Sequence, residues 1–321
     1  MNSELVNIEQ RESTMKELEA TEELQRLTRE LENFQQIAKF LVPLPGEIPR
    51  INGIDVWGGT MPLLGDVGGD HITYVDFKQR FDLNARIERA RTEDRPDVID
   101  NLERCKHKAG IAVIDVAGHR ITDALLAAML HQAFLLGATY ELDRSGQITR
   151  RLFENLNTRF YQSSGTQKFV SVIYGEIAED STFRFLSAGQ PFPVVFSNKH
   201  DRFMEVSSHL KTSFPPLGML PSFNVIDRNT TTSLLPFKER YEMNEWTLMG
   251  EGDILLLHTD GLSDHAREDE RYVPGPLERR LREVKHLGAR EIYDAIKTDL
   301  HAFADPIDDI SLVVIKKLRS G

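Results

Sequence analysis

Gly110-Ile111-Ala112-Val113-Ile114-Asp115-Val116-Ala117-Gly118-His119 is a short apolar run that ends on a carboxylate and then a glycine. Consecutive aliphatic residues bounded by glycine read as a strand buried on both faces. Such a strand fixes the backbone of the residue leaving it, so Asp115 is delivered to a sheet end in a set orientation. The arrangement recurs elsewhere in the chain. Gly68-Gly69-Asp70 precedes the strand-like His71–Phe77, Asp260 follows Asp253-Ile254-Leu255-Leu256-Leu257-His258-Thr259, and Asp308-Asp309 precede Ile310–Ile315. If these carboxylates meet, each pair about 4 Å apart repels by roughly 4 kcal/mol at an effective dielectric near 20, and the cluster needs cations. Oxygen-only ligation favours Mg2+ or Mn2+ over zinc.

Composition narrows the class. The 321 residues suffice for one large domain, or one domain with an appendage, and 40% hydrophobic residues can fill a core. With 39 basic against 50 acidic residues, a net charge of -11 argues against nonspecific binding to nucleic acid or an anionic membrane. Cys105 is the only cysteine, which excludes an internal disulfide or cysteine-rich zinc site and fits a reducing, cytoplasmic compartment. Neither an eighteen-residue apolar run nor a signal-peptide pattern at the start is evident, so no membrane anchor is expected.

Residues 1–42 differ from the remainder. From Ser13 to Leu41 there is no Gly or Pro, and apolar or small residues recur at Leu24, Leu27, Leu31, Phe34, Ala38 and Leu41 in alternating steps of three and four. This heptad seam predicts a helix that lies on its own domain or pairs with a second copy in a coiled-coil dimer. Pro43, Pro45 and Gly46 end it, and residues 43–321 form the second domain. Further strands are expected at Gly53–Gly58, Phe169–Gly175, Thr182–Leu186 and Pro193–Phe196, and helices at Thr122–Leu136, Gln147–Tyr161, Pro276–Val284 and Ala289–Phe303. Strand groups separated by a helix pair suggest sheets covered by helices. The charged stretch at about 78–109 reads as a solvated insertion, with a helix around Asp97–Cys105 and a regulatory or docking role as the alternative.

The ordered motifs Gly68-Gly69-Asp70, Asp115-Val116-Ala117-Gly118-His119 before an apolar helix, Ser187-Ala188-Gly189-Gln190-Pro191, Pro216-Leu217-Gly218, Gly252–Leu262 and Asp308-Asp309-Ile310-Ser311 together resemble the metal-dependent protein phosphatase family (PPM), in its bacterial SpoIIE/RsbU branch. The resemblance covers roughly Ile48 to Leu318. It implies an α+β fold, an αββα four-layer sandwich of two antiparallel sheets flanked by helices, preceded here by the N-terminal helix. It implies two ions, Mn2+ or Mg2+, with Asp115 bridging them and the Val116 backbone carbonyl beside it. Asp70 would bind the second ion, and Asp260 and Asp308 would complete the first, with Asp309 the alternative to Asp308. Asp66 stands where the family commonly has an acidic residue and reads equally as a turn residue. Three positions depart from the family's usual residues: Arg120 for glycine, Gln190 for histidine and Asp264 for glutamate. His119 reads as structural rather than as a general acid, and His71, next to Asp70 on a strand, should point to the opposite face.

Covalent routes lack support, since Cys105 is not in a Cys-(x)5-Arg loop and no Gly-x-Ser-x-Gly elbow occurs. The expected activity is therefore protein serine/threonine phosphatase, with Asp70, Asp115, Asp260 and Asp308 catalytic through a metal-activated bridging water. By resemblance, the substrate is a phosphorylated anti-anti-sigma, STAS-like signalling protein in a partner-switching stress response. An activating protein partner would act through the N-terminal helix and the helix pair after Asp115. A noncatalytic scaffold and a small-metabolite phosphatase are the competing readings.

Overall fold

Alternating aliphatic residues sort the strands into two main sheets. The computed structural model describes residues 15–16, 20–30, 32–33, 47–63, 68–116, 121–163, 169–224, 227–228, 236–247 and 249–319. In chain order the strands are β1 (Ile54–Met61), β2 (His71–Asp76), β3 (Lys108–Val116), β4 (Val170–Ala178), β5 (Phe183–Ala188), β6 (Val194–Ser197), β7 (Arg202–Phe203), β8 (Ser213–Phe214), β9 (Asn244–Trp246), β10 (Ile254–His258), β11 (Ala266–Arg267), β12 (Glu270–Arg271) and β13 (Ile310–Lys317). One main sheet has the order β1-β13-β10-β6-β7, the other β2-β3-β4-β5-β8 with β9 also on β5, and β11 and β12 form a separate two-stranded ribbon. Neighbours in both main sheets are antiparallel except β5 and β8.

The period of two along each strand separates three cores. Ile111 and Val113 of β3 face the other sheet and pack with Ile72, Tyr74, Ile173, Leu255, Leu257, Val313 and Ile315. Ala112 and Ile114 face the opposite way, onto Leu130, Phe134, Leu152 and Phe153 of helices Ile121–Ser145 and Arg150–Ser163. On the far side, Leu256, Leu312 and Val314 pack against Leu277, Leu281, Ile292 and Ile296 of helices Gly275–Val284 and Ala289–Phe303. The layers run helix, sheet, sheet, helix, as the sequence leads one to expect. Within the first helical layer, Leu125–Ser145 reaches a mean hydropathy of 1.2 and is long enough to cross a membrane by composition, contrary to the sequence expectation. Burial of Leu130, Phe134, Ala138 and Leu142 against the sheet marks it as a core helix.

The charged insertion carries the helix expected around Asp97–Cys105 but is less solvated than expected. It folds into two helices, Leu83–Thr92 and Pro96–Cys105, with Leu83, Ile87, Ala90, Val98, Leu102 and Cys105 buried in the first core. Its polar groups cap the C-terminal end of the long helix, where carbonyls lack intrahelical partners. The Arg95 guanidinium donates to Asp143 O (3.1 Å) and Arg144 O, Asn101 Nδ2 donates to Ser145 O (3.0 Å), and Arg86 pairs with Asp143 at 3.0 Å. A segment that reads as solvated from its charge thus clamps the helix that follows Asp115 in the chain.

Residues 20–30 are helical, with Leu24 and Leu27 exposed at 65% and 49%. The rest of the expected seam, from Leu31 to Leu41, lies outside the described residues, as does the boundary at Pro43.

Candidate metal and active site

Four sheet-end positions converge because antiparallel pairing puts the end of one strand beside the start of the next. His71 pairs with Ile114, so the start of β2 lies beside the end of β3, and the Val116 N–H donates to Gly69 O at 3.3 Å. Asp70 and Asp115 are thereby neighbours. In the other sheet His258 pairs with Leu312, the Thr259 N–H donates to Ser311 O (3.1 Å), and the Ser311 N–H donates to Thr259 Oγ1 (2.9 Å). That brings Asp260 and Asp308 to one end. The two sheets are tied across this end by Thr259, whose hydroxyl donates to Asp70 Oδ2 at 2.8 Å.

The electrostatics follow from convergence. Burial raises the Asp70 carboxyl well above its usual range, and the charges of Asp115 and Asp309 push the same way. Asp115 is pushed up to about 6 by burial, then by Asp260, Asp308 and Asp309. Asp260 is raised by burial, then by Asp308 and Asp264. Each carboxylate therefore penalises ionisation of the next, which is the condition a bound cation relieves. Among the described residues no three His, Cys, Asp or Glu side chains lie close enough together to hold an ion between them. An open, all-oxygen arrangement still fits Mg2+, which keeps several waters and takes only one or two carboxylates, and disfavours zinc.

The Asp308-Asp309 doublet divides its labour. Asp309 is 3% exposed, and its carboxylate accepts from the Leu63 N–H and the Gly69 N–H, both at 2.7 Å. A Cβ at position 68 would sit 2.1 Å from Asp309 Oδ2, so only glycine lets this loop close over the carboxylate. Asp308 is exposed and acts electrostatically on Asp115 and Asp260. His71 faces away from the acids, as its place after Asp70 predicts. Its Nε2 lies 3.0 Å from His131 Nδ1, and Thr73 Oγ1 lies 2.8 Å from the same nitrogen, so the strand carrying Asp70 is joined to the long helix by a buried polar contact. Burial lowers both rings, to about 4 for His71 and about 3 for His131, and keeps them neutral. Asp66, Gly118, His119 and Arg120 lie outside the described residues.

Sequence reasoning missed Thr259, Ser171 and the role of Gln190. Ser171 pairs directly with Asp115, and its hydroxyl donates to Asp115 Oδ2 at 2.9 Å. A lone hydroxyl within Phe169-Val170-Ser171-Val172 was the available signal.

A pH dependence follows for the ion-free protein. Asp115 titrates near 6 when folded against 3.8 for the free group, so between those values the folded chain holds a proton that the unfolded chain has released. Stability therefore falls as pH rises through this window, by about 2 to 3 kcal/mol at most. Asp115→Asn is expected to raise the urea-unfolding free energy in chelator by about 2 kcal/mol at pH 7.5 and not at pH 4. Equal stability of the two chains at pH 7.5 would contradict the coupling.

The family described as Stage II sporulation protein E (SpoIIE) matches residues 106–318. A curated relative, phosphoserine phosphatase RsbP of Bacillus subtilis, is 27% identical over 161 residues, which is 50% of this chain and 34% of the relative. The chain thus spans about a third of the length of the curated relative it matches. Among solved structures, the SiaA PP2C domain of Pseudomonas aeruginosa aligns with a TM-score of 0.58 at 14% identity, covering 91% of this chain and 97% of that one. The RsbU and RsbW domains of a Mycobacterium tuberculosis protein align at 0.57 and 17% identity, covering 85% and 62%. At these identities the solved structures establish the shared fold.

Proposed function

The chain belongs to the SpoIIE family of PP2C-like domains, the SpoIIE/RsbU branch of the PPM phosphatases, and from that premise we propose that it is a protein serine/threonine phosphatase dependent on two Mn2+ or Mg2+ ions. The observation that carries this reading is the convergence of Asp70, Asp115, Asp260 and Asp308, where β2 pairs with β3, β10 pairs with β13 and the Thr259 hydroxyl joins Asp70 across the two sheets. Asp115 would lie between the ions with the Val116 carbonyl beside it, Asp70 would hold one ion, and Asp260 with Asp308 the other. Divalent cations, when bound, neutralise the phosphoryl dianion and bring the pKa of water within reach of neutral pH. The chain itself supplies positioning: Ser171 holds one oxygen of Asp115, Thr259 holds Asp70, and Asp309 shapes the Gly68-Gly69 loop. Both oxygens of Asp309 are engaged by backbone amides, which favours Asp308 as the ligand.

The name of the relative, phosphoserine phosphatase, supports phosphoserine as the group hydrolysed. The substrate we assign is an anti-anti-sigma, STAS-like signalling protein in a cytoplasmic partner-switching system. The decisive assay compares phosphate release from an aryl phosphate, a panel of phosphometabolites and a phosphoserine protein, each with and without Mn2+. Mn2+-dependent turnover of the phosphoprotein is expected. A scaffold turns over none of them, and a metabolite phosphatase turns over the metabolites alone.

The exposed Leu24 and Leu27 support pairing of the N-terminal helix with a second copy. Deleting residues 1–42 is expected to convert a dimer to a monomer and to change the phosphatase rate about fivefold or more, in the range of ordinary allosteric coupling. Light scattering and steady-state rates decide this, and a chain that was monomeric and equally active before and after deletion removes the regulatory role.

A further inference from the structure

Gln190 and Ser171 form a buried polar relay onto Asp115. Gln190 is 4% exposed, and its Nε2 donates to Ser171 Oγ at 3.2 Å. Ser171 Oγ is 2.9 Å from Asp115 Oδ2 and 3.2 Å from Asp115 O. The direction of these bonds is fixed by chemistry. A carboxylate and a carbonyl only accept, so the single hydroxyl hydrogen of Ser171 goes to Asp115, and the hydroxyl lone pair is left for a donor. Gln190 must then present its NH2 group to Ser171, which leaves its Oε1 buried without a partner among the described residues.

The backbone builds this arrangement deliberately. β5 ends at Ala188, Gly189 turns the chain with φ +81, and its N–H donates to Phe214 O at 2.8 Å. A Cβ at position 189 would lie 2.5 Å from Pro216 Cγ and 3.1 Å from Ser171 Cβ, so the turn needs glycine to bring Gln190 beside Ser171. The buried Ser187 hydroxyl donates to Gln190 O at 2.8 Å and fixes the residue from the other side. A flexible amide held at its backbone, pointed at a hydroxyl and orphaned at its oxygen is not filling space.

We propose that Gln190 is a positioning residue that acts through Ser171 to lock the Asp115 carboxylate in one rotamer, with Oδ2 held and the other oxygen presented to a divalent cation. The assignment rests on the metal-centred reading above. It goes beyond it by naming the pair that orients the central carboxylate, one member of which departs from the histidine usual in the family.

The test is calorimetric titration of the full chain with Mn2+, alongside ion-free melting curves. Gln190→Met preserves volume and length but removes the donor, and Ser171→Ala removes the bridge. Each is expected to weaken Mn2+ affinity about 10- to 100-fold, as loss of a ligand's supporting hydrogen bond does elsewhere. Because the two act in series, Ser171→Ala/Gln190→Met should lose no more than Ser171→Ala alone. Gln190→His, with a ring N–H able to donate, should recover most of the affinity while its ion-free melting matches that of Gln190→Met. Unchanged affinity in Gln190→Met, or losses that multiply in the double variant, overturns the relay. If the unaltered chain takes up no Mn2+, the metal-centred reading fails first, and that outcome is distinct from failure of the relay.

Discussion

Asp115→Asn is expected to lower Mn2+-dependent kcat/KM on a phosphoserine protein by a factor on the order of 10^3 or more, about 4 kcal/mol of transition-state stabilisation. Asparagine keeps the shape of the side chain, and its carbonyl oxygen can still accept from Ser171, which stands opposite in the β3–β4 pair. Only the charge is removed. Asp115 is the residue on which Asp260, Asp308 and Asp309 all act and which in turn acts on Asp70, so it is the electrostatic centre of the group. Under the proposed function, a neutral amide there would remove the central anion that divalent cations need, and with them the charge that would neutralise a phosphoryl dianion. The same substitution is expected to stabilise the ion-free fold, so lost turnover accompanied by raised unfolding free energy cannot be attributed to unfolding. Metal-dependent turnover surviving in Asp115→Asn would falsify the placement of Asp115 at the centre of the reaction.

How far the site is legible in the sequence depends on distance along the chain. Asp70, Asp115 and Asp260 could be placed at sheet ends because each borders a short apolar run whose length, β-branching and flanking turn residues favour a strand. That the sheets are covered by helices could be read for the same reason, since β3, β10 and β13 are aliphatic on both faces, whereas the count of four layers came from the family resemblance. The division between Asp308 and Asp309 could not, because adjacent residues differ only in which way each faces. That depends on the Gly68-Gly69 loop, some 240 residues away. Likewise the long helix runs to Ser145 rather than Leu136, held at its end by Arg95 and Asn101 from the insertion, a contact no local periodicity announces. The two- and three-residue strands β7, β8 and β9 carry too few residues for a period of two to be visible. Gln190 showed itself only as a departure from a motif, since its meaning lies in what Ser171 needs across the sheet.

Asp308 and Asp309 should separate cleanly when each is replaced by alanine. Asp309→Ala is expected to cost about 3 to 5 kcal/mol in urea unfolding of the ion-free chain, because two amide-to-carboxylate hydrogen bonds are lost at roughly 1.5 to 3 kcal/mol each. The Leu63 and Gly69 amides that it satisfies both precede Asp70 in the chain, so its removal frees the strand entry as well as two donors. Asp309→Asn keeps one accepting oxygen and should fall between. Asp308→Ala removes an exposed side chain whose one carboxylate oxygen accepts from the Asp309 N–H at 2.8 Å, and should cost about 1 kcal/mol or less. Its effect should appear instead in Mn2+ affinity, since its charge acts on Asp115 and Asp260. The reverse pattern, a stable Asp309→Ala that no longer takes up Mn2+ beside an Asp308→Ala that does, would move the ligand one residue along the chain and make the buried amide contacts of Asp309 incidental.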